Sequence, residues 1–320
     1  MKKIYLILIV LLAGLFSSCE KGEGTLTPSG IEEGYHMPQG NNPFDATIMG
    51  YYEKYGSCLL YDFTDKDTYW TPSGWKNGVT GTTAEGGKAG FKVTPADASY
   101  IPQQLALIDK CWLGLYSNAF LEKFLPLKIM LCSSVSTVTY LFTPAPAHYG
   151  LTSVDAYFNY DNICVNYGNE SVLAITTSKE LALTRTLSRL LVEFMVDRGV
   201  STPADLPAFS TTVSYSGLSS LKTVSAGLAR GFFPMPSSTT PTIDWKKFML
   251  LMVSYPESYL NRSKAITNDS WDTSEAAWEG ILNPTKDTKG LMKKRYDMVR
   301  NYFIEKYNMD LQSIGNRFNY

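Results

Sequence analysis

Residues that could carry catalysis are scarce in this chain of 320 amino acids, which contains only two histidines. His36 lies in a glycine- and proline-rich segment and His148 follows a proline-rich one, and neither has a second ligand at the spacing of a zinc site. The sequence has no G-x-S-x-G elbow, no phosphate-binding loop and no dinucleotide-binding glycine pattern. Two carboxylates that meet only in the folded chain, as in glycosidases, leave no sequence pattern. We therefore expect both histidines to be solvated surface residues.

The N-terminus has the pattern of a bacterial lipoprotein signal. Two lysines precede an apolar run over residues 4–15, and two serines stand directly before Cys19. The run is too short to cross a hydrocarbon core of about 30 Å as a helix, whereas small residues followed by cysteine suit a lipoprotein signal peptidase. The sequence predicts cleavage after residue 18 and a palmitate-type anchor on Cys19, with an ordinary secretory signal as the alternative.

The other cysteines are widely spaced and form no C-x-x-C pair of the kind found in zinc knuckles and redox sites. They are Cys58, Cys111, Cys132 and Cys164. All except Cys111 lie in apolar, strand-like runs, which favours buried free thiols. Export permits disulfides, so pairing stays an alternative.

The charge balance argues against a polyanionic partner such as a nucleic acid. The chain has 29 basic and 30 acidic residues, for a net charge of −1, and no basic cluster. Its 21 tyrosines and 6 tryptophans suit a substantial core, and such rings also stack on sugars and anchor peptide interfaces.

Composition and periodicity divide the chain into four predicted parts. These are the signal peptide over residues 1–18, a flexible tether over 19–42, an α+β part over 43–200 and a mostly helical part over 201–320. The predicted strands cover residues 55–63, 127–131 and 163–165, and the predicted helices cover 102–124, 177–199, 244–254 and 289–307. Proline content predicts an exposed loop over 142–150.

Helix 177–199 has signals at both ends. It opens with the capping-box pattern Thr177-Ser178-Lys179-Glu180 and stops at Gly199.

Four segments, taken in order, carry a family resemblance: 42–45 (NPFD), 55–62 (YGSCLLYD), 120–129 (FLEKFLPLKI) and 302–311, which contains YF and MDL. In order and spacing they resemble the substrate import-associated zinc metallohydrolase lipoproteins of Bacteroidetes-type bacteria, a family of zinc-binding metallopeptidases. The resemblance covers most of the mature chain. It implies a zincin-like scaffold, in which a helix carries H-E-x-x-H to hold zinc and polarise a metal-bound water.

On the resemblance, the motif of this chain is degenerate. The two histidine positions correspond to Val192 and Val196, and only the glutamate position, Glu193, is kept. A valine side chain has no lone pair, so the resemblance implies that zinc and its chemistry are lost here. The later acidic ligand corresponds to Ile243, and a lysine at 246 or 247 would repel a cation.

Glu193 has a plainer interpretation as well. Arg189 lies one helical turn before it, and the two side chains could simply form an ion pair. Val192 and Val196 could equally be core residues. We favour these interpretations over a surviving catalytic base.

Three functions remain open. The first is a pseudoenzyme of the outer membrane, facing the periplasm or the cell surface, that binds a peptide or glycan beside a TonB-dependent transporter and a SusD-like lipoprotein, as the resemblance implies. The second is a working hydrolase that uses other residues, such as Glu193 with another carboxylate. The third is a structural subunit of a transporter complex, which would need a large exposed apolar patch. Neither a cofactor nor a nucleic-acid partner is expected.

Overall fold

The computed structural model describes residues 35–72, 74–75, 90–141, 148–234, 236–270 and 274–320. The described residues from Met37 to Tyr320 form one compact unit. The predicted signal peptide, Cys19 and most of the predicted tether lie outside the described residues. No helix within these ranges combines the length and apolar composition needed to cross a bilayer.

The end of the predicted tether belongs to the folded unit. The Gln39 side chain accepts a hydrogen bond from the backbone N–H of Tyr61 at 2.8 Å, and the Asn42 amide donates to the Tyr61 hydroxyl at 3.3 Å. Met37 packs against the core. Residues 37–42, which the sequence assigns to the tether, are therefore bound to the fold.

Before residue 177, the described chain forms four short helices and eight strands. In chain order they are α1 (Asp45–Tyr55), β1 (Cys58–Leu60), α2 (Asp65–Tyr69), β2 (Trp70–Thr71), β3 (Gly74–Trp75), β4 (Gly90–Pro95), α3 (Ile101–Cys111), α4 (Asn118–Phe124), β5 (Lys128–Leu141), β6 (His148–Ser153), β7 (Ala156–Phe158) and β8 (Asn162–Val165). The core strands predicted over 127–131 and 163–165 are confirmed as the start of β5 and as β8.

Strand β5 is the centre of a six-stranded sheet. Its first residues pair in parallel with β1 and β8, so that Leu59 and Ile163 both lie opposite Ile129. Strand β7 pairs antiparallel with β8, and the later residues of β5 pair antiparallel with β4 and β6. All residues of β1 and β8 are buried, as expected for parallel strands covered on both faces.

Two predicted elements differ from the structure in their bounds. The strand predicted over 55–63 is limited to β1, because α1 extends to Tyr55 and ends at Gly56 in the left-handed conformation. The predicted loop over 142–150 lies outside the described residues up to 147, and residues 148–150 belong to β6.

The single helix predicted over 102–124 is wrong. Helix α3 ends at Cys111, a 3-10 turn follows, and α4 begins after Ser117. The Ser117 hydroxyl accepts a hydrogen bond from the backbone N–H of Phe120 and so starts a second helix. Trp112 keeps its helical spacing and is fully buried, so the apolar period continues although the α-helix is interrupted.

After residue 177, the described chain contains helices and one isolated β-bridge. The helices are α5 (Thr177–Asp197), α6 (Pro207–Thr211), α7 (Val224–Leu228), α8 (Pro241–Ser254), α9 (Glu257–Leu260), α10 (Leu291–Tyr307) and α11 (Gln312–Gly315). The predicted helices over 177–199, 244–254 and 289–307 are confirmed as α5, α8 and α10. The fold is α+β with a mostly helical C-terminal part, as the sequence predicts.

The cap of α5 differs from the prediction by one residue. Thr176, not Thr177, is the N-cap, and its hydroxyl accepts a hydrogen bond from the backbone N–H of Lys179 at 3.3 Å. Thr176 has the extended backbone that brings a cap oxygen to the free N–H groups of the first turn. The predicted stop at Gly199 is confirmed, because that glycine adopts a positive φ of 67°.

The two parts of the chain share one hydrophobic core. Aromatic rings of α4 and α10 meet there: the Phe120 and Phe303 centroids are 5.8 Å apart, and those of Phe124 and Tyr307 are 4.8 Å apart. The Ser117 hydroxyl also donates to the Tyr307 carbonyl at 2.5 Å. All four described cysteines are buried free thiols, as predicted for Cys58, Cys132 and Cys164.

Candidate functional site

Helix α5 carries the positions that the family resemblance assigns to the metal motif. Val192 and Val196 lie one turn apart on it and are 2% and 5% exposed, within the shared core. Phe194 lies between them in sequence and packs edge-on against Phe158 of β7, with ring centroids 5.9 Å apart. Both valines therefore fill the interior and present no donor atom, and this place does not fit a zinc ion.

Glu193 follows Val192 directly on α5 and is half-buried, whereas both valines are buried. Burial raises the pKa of its carboxyl, and the positive charges of Arg189 and Lys246 oppose that rise. The negative charges of Asp197 and Glu275 add to it. Among the described residues, none forms a hydrogen bond or ion pair with this carboxylate.

The predicted ion pair between Arg189 and Glu193 is wrong. The Arg189 guanidinium instead donates to both carboxylate oxygens of Glu275, at 2.7 and 3.1 Å, and to the Ser254 hydroxyl at 2.7 Å. Tyr255 donates to the same Glu275 carboxylate at 2.8 Å. Helical spacing allows the pair within α5, but a bidentate partner from a distant part of the chain holds the arginine.

The lysines predicted to repel a cation have different roles. Lys246, on the face of α8 toward α5, forms an ion pair with Asp197 at 2.7 Å. Lys247 lies over the ring of Phe233, and burial lowers the pKa of its ammonium group. Ile243, the position assigned to a lost carboxylate ligand, is 37% exposed in the first turn of α8.

Beside Ile243 lies a buried ion pair that the sequence interpretation missed. Asp244 and Arg295 are both fully buried, and their Oδ2 and Nη1 atoms are 2.8 Å apart. The Tyr215 hydroxyl donates to Asp244 at 3.0 Å and accepts from Arg295 at 2.7 Å, while Arg295 also donates to the Gly231 carbonyl at 2.6 Å. Helical spacing could have predicted that both are buried. Asp244 lies four residues before Phe248 and Arg295 lies three after Met292, so each belongs to the apolar stripe of its helix.

A groove lies between α1 and α3. It has a volume of about 600 Å³, within the range of ligand pockets, and its walls are mostly apolar. Phe44 and Leu105 form its buried floor, and the Tyr51 hydroxyl donates to Asp109 at 2.9 Å at its side. Sequence spacing does not predict this groove because its two walls come from separate helices.

The two histidines lie at the surface, as predicted. In the described ranges, His, Cys, Asp and Glu side chains form no cluster of three or more that could hold a metal ion.

No protein-family model matches the chain, and no curated protein matches it. A solved structure that the chain resembles is a "putative zinc-binding metallo-peptidase" from Bacteroides caccae. The alignment covers 85% of this chain and 88% of that one, at 13% sequence identity and a TM-score of 0.42. A likeness of this size carries no conclusion about activity, metal or ligand.

Proposed function

We propose that the chain is a lipid-anchored, non-catalytic binding protein of the outer membrane. On this proposal it captures a peptide or glycan for import beside a TonB-dependent transporter, on a metallopeptidase-like scaffold that has lost its metal.

The observation that carries the proposal is the burial of Val192 and Val196 on either side of Glu193. A zinc peptidase needs three protein ligands and an open fourth position for water. Here two of those positions would be occupied by apolar side chains in the core. The ammonium group of Lys246 also acts on Glu193 and would oppose a cation there.

Two further features support binding and anchorage. The groove between α1 and α3 is large enough for part of a peptide or an oligosaccharide. The pattern around Cys19 supports attachment to a membrane through lipid.

The test is the metal content of the mature chain, measured by elemental mass spectrometry after zinc exposure and desalting. We expect well below one zinc per chain and no cleavage of a casein substrate. Near-stoichiometric zinc that is lost in Glu193→Ala would overturn the proposal. For the anchor, metabolic labelling with palmitate should mark the wild type and not Cys19→Ala, and an unlabelled wild type would contradict lipidation.

A further inference from the structure

A second concave site lies at the C-terminal end of α5. The cavity has a volume of about 280 Å³ and lies between the last turn of that helix, the turn joining β7 to β8, and the residue before β5. Its lining residues are Leu127, Tyr160, Asp161, Phe194, Asp197 and Arg198. This volume suits one amino-acid residue or one sugar ring better than a long segment.

Arg198 is held in place by aromatic rings. Its guanidinium carbon is 4.3 Å from the ring centroid of Tyr160 and 5.0 Å from that of Phe158. No described residue forms a hydrogen bond or ion pair with its guanidinium group. Stacking uses the face of a guanidinium and leaves the N–H groups at its edge free for a planar, bidentate acceptor.

The two acidic residues of the cavity are already neutralised. Lys128 lies 2.9 Å from Asp161, and Lys246 lies 2.7 Å from Asp197. Each carboxylate thus has its own ammonium group, and Arg198 is left as the positive charge without a counter-ion in the cavity. An anionic group would supply the missing charge.

The remaining wall is apolar. Leu127 is 58% exposed, which is unusual for a leucine next to a buried strand, and Phe194 forms the floor. The Tyr160 ring is supported edge-on by Trp70, with centroids 5.3 Å apart. A ligand that places an apolar group or a ring beside its anionic group would cover this wall.

We propose that this cavity binds a carboxylate carried next to an apolar group or ring, with Arg198 as the bidentate partner of the carboxylate. Leu127 and Tyr160 pack against the attached group. The inference rests on the proposed binding function and names the ligand chemistry for it. Two sources share this chemistry: the C-terminal residue of a peptide and a uronic acid residue of a glycan.

The test is isothermal titration of the mature chain with two matched pairs of probes. The peptide pair is acetyl-Ala-Ala-Leu with a free C-terminal carboxylate and the same peptide as its amide. The sugar pair is digalacturonate and its methyl ester. We expect one acid to bind and its uncharged partner to bind about tenfold or more weakly, and the acid that binds identifies the source.

Variants at Arg198 give the second arm. Arg198→Met should weaken binding of the acid about tenfold or more. The affinity of Arg198→Lys should lie between those of Arg198→Met and wild type, because a lysine keeps the charge but lacks the paired N–H donors of a guanidinium. Arg317→Met is the matched control, since it removes an exposed arginine outside this cavity and should leave binding unchanged. Thermal unfolding confirms that each variant is folded.

Binding that is equal for acid and uncharged probe, unchanged in Arg198→Met, or absent for all four probes would overturn the cavity proposal. Mass spectrometry of the same samples separates this from the proposed function. Cleaved peptide would overturn the non-catalytic function and leave the role of Arg198 intact.

Discussion

Two carboxylates on the neighbouring helices α5 and α8 have opposite surroundings. Asp244 is fully buried and receives an ion pair from Arg295 and a hydrogen bond from Tyr215. Glu193 is half-buried and has nearby positive charges but no direct partner among the described residues. The glutamate is the one that a catalytic motif would point to, yet the aspartate has the more elaborate environment.

The difference shows what burial demands of a charge. A carboxylate removed completely from water must be paired and hydrogen-bonded, because its desolvation otherwise costs several kcal/mol. A half-buried one keeps part of its hydration and tolerates a raised pKa. The polar network around Asp244 therefore compensates for the burial of two charges in the helical part.

The largest effect should come from breaking the buried pair. Arg295→Met leaves Asp244 without its cation in an apolar interior, and we expect the free energy of unfolding to fall by about 3–5 kcal/mol. Urea denaturation measures this loss. Lys293→Met, which breaks an exposed pair with Asp297 on the same helix, is the matched control and should cost below about 1 kcal/mol.

The pair can also be removed as a unit. Arg295→Met combined with Asp244→Asn should be less destabilising than the sum of the single changes, since neither then leaves a lone buried charge. Strict additivity would contradict the assignment of Asp244 and Arg295 as one coupled pair.

A smaller loss should follow from rebuilding the metal motif. Val192→His with Val196→His places two imidazoles in a filled core, and we expect a loss of about 2–3 kcal/mol from overpacking and unsatisfied polar groups. Added zinc should not restore the melting temperature of this variant. The measurement is thermal unfolding with and without zinc.

The matched control puts the same spacing on the exposed side of the same helix. Ser178→His with Ala182→His should bind zinc at the surface and gain stability when zinc is added. If zinc instead stabilises the variant with Val192→His and Val196→His, the scaffold can still open a metal site beside Glu193.

The smallest effect concerns Glu193 itself and depends on pH. Because burial raises the pKa of this carboxyl, the folded protein binds its proton more tightly than the unfolded chain does. The stability from Glu193 is therefore fully present below its ordinary pKa of 4.5 and is lost as pH rises through the higher folded-state value. Wild type and Glu193→Gln should be equally stable at about pH 4, and the variant should be the more stable of the two at about pH 7.

Solvent screening of a half-buried group limits that gain to below about 1 kcal/mol. Denaturation curves at the two pH values measure it. The exposed Glu53→Gln is the control for removing one negative charge. A variant that loses stability with rising pH relative to wild type would contradict the raised pKa.

Periodicity predicted much of the fold because the long helices bury apolar stripes and have local start and stop signals. Helix α5 (Thr177–Asp197) begins at the predicted residue and is followed by the predicted stop at Gly199, and α8 and α10 follow their apolar spacing. The same spacing misled at Trp112, where the apolar period runs on while Ser117 starts a new helix. Apolar periodicity indicates which residues face the core, but it does not indicate where one helix ends and the next begins.

The candidate sites were less predictable because their partners come from distant parts of the chain. Arg189 has a possible partner one turn away, but Glu275 offers two oxygens and holds it. The stacking of Arg198 on Phe158 and Tyr160 requires a β-turn packed against the end of α5. Tertiary packing determines which partner each arginine contacts, and residue spacing in the sequence does not predict it.

The ring contacts between α4 and α10 also bear on the order in which the protein can fold. A ribosome makes Phe120 and Phe124 long before Phe303 and Tyr307, the rings that cover them. Until the last long helix has been synthesised, the first half of the chain lacks part of its own interior. We expect the nascent chain to stay incompletely folded until synthesis is nearly finished.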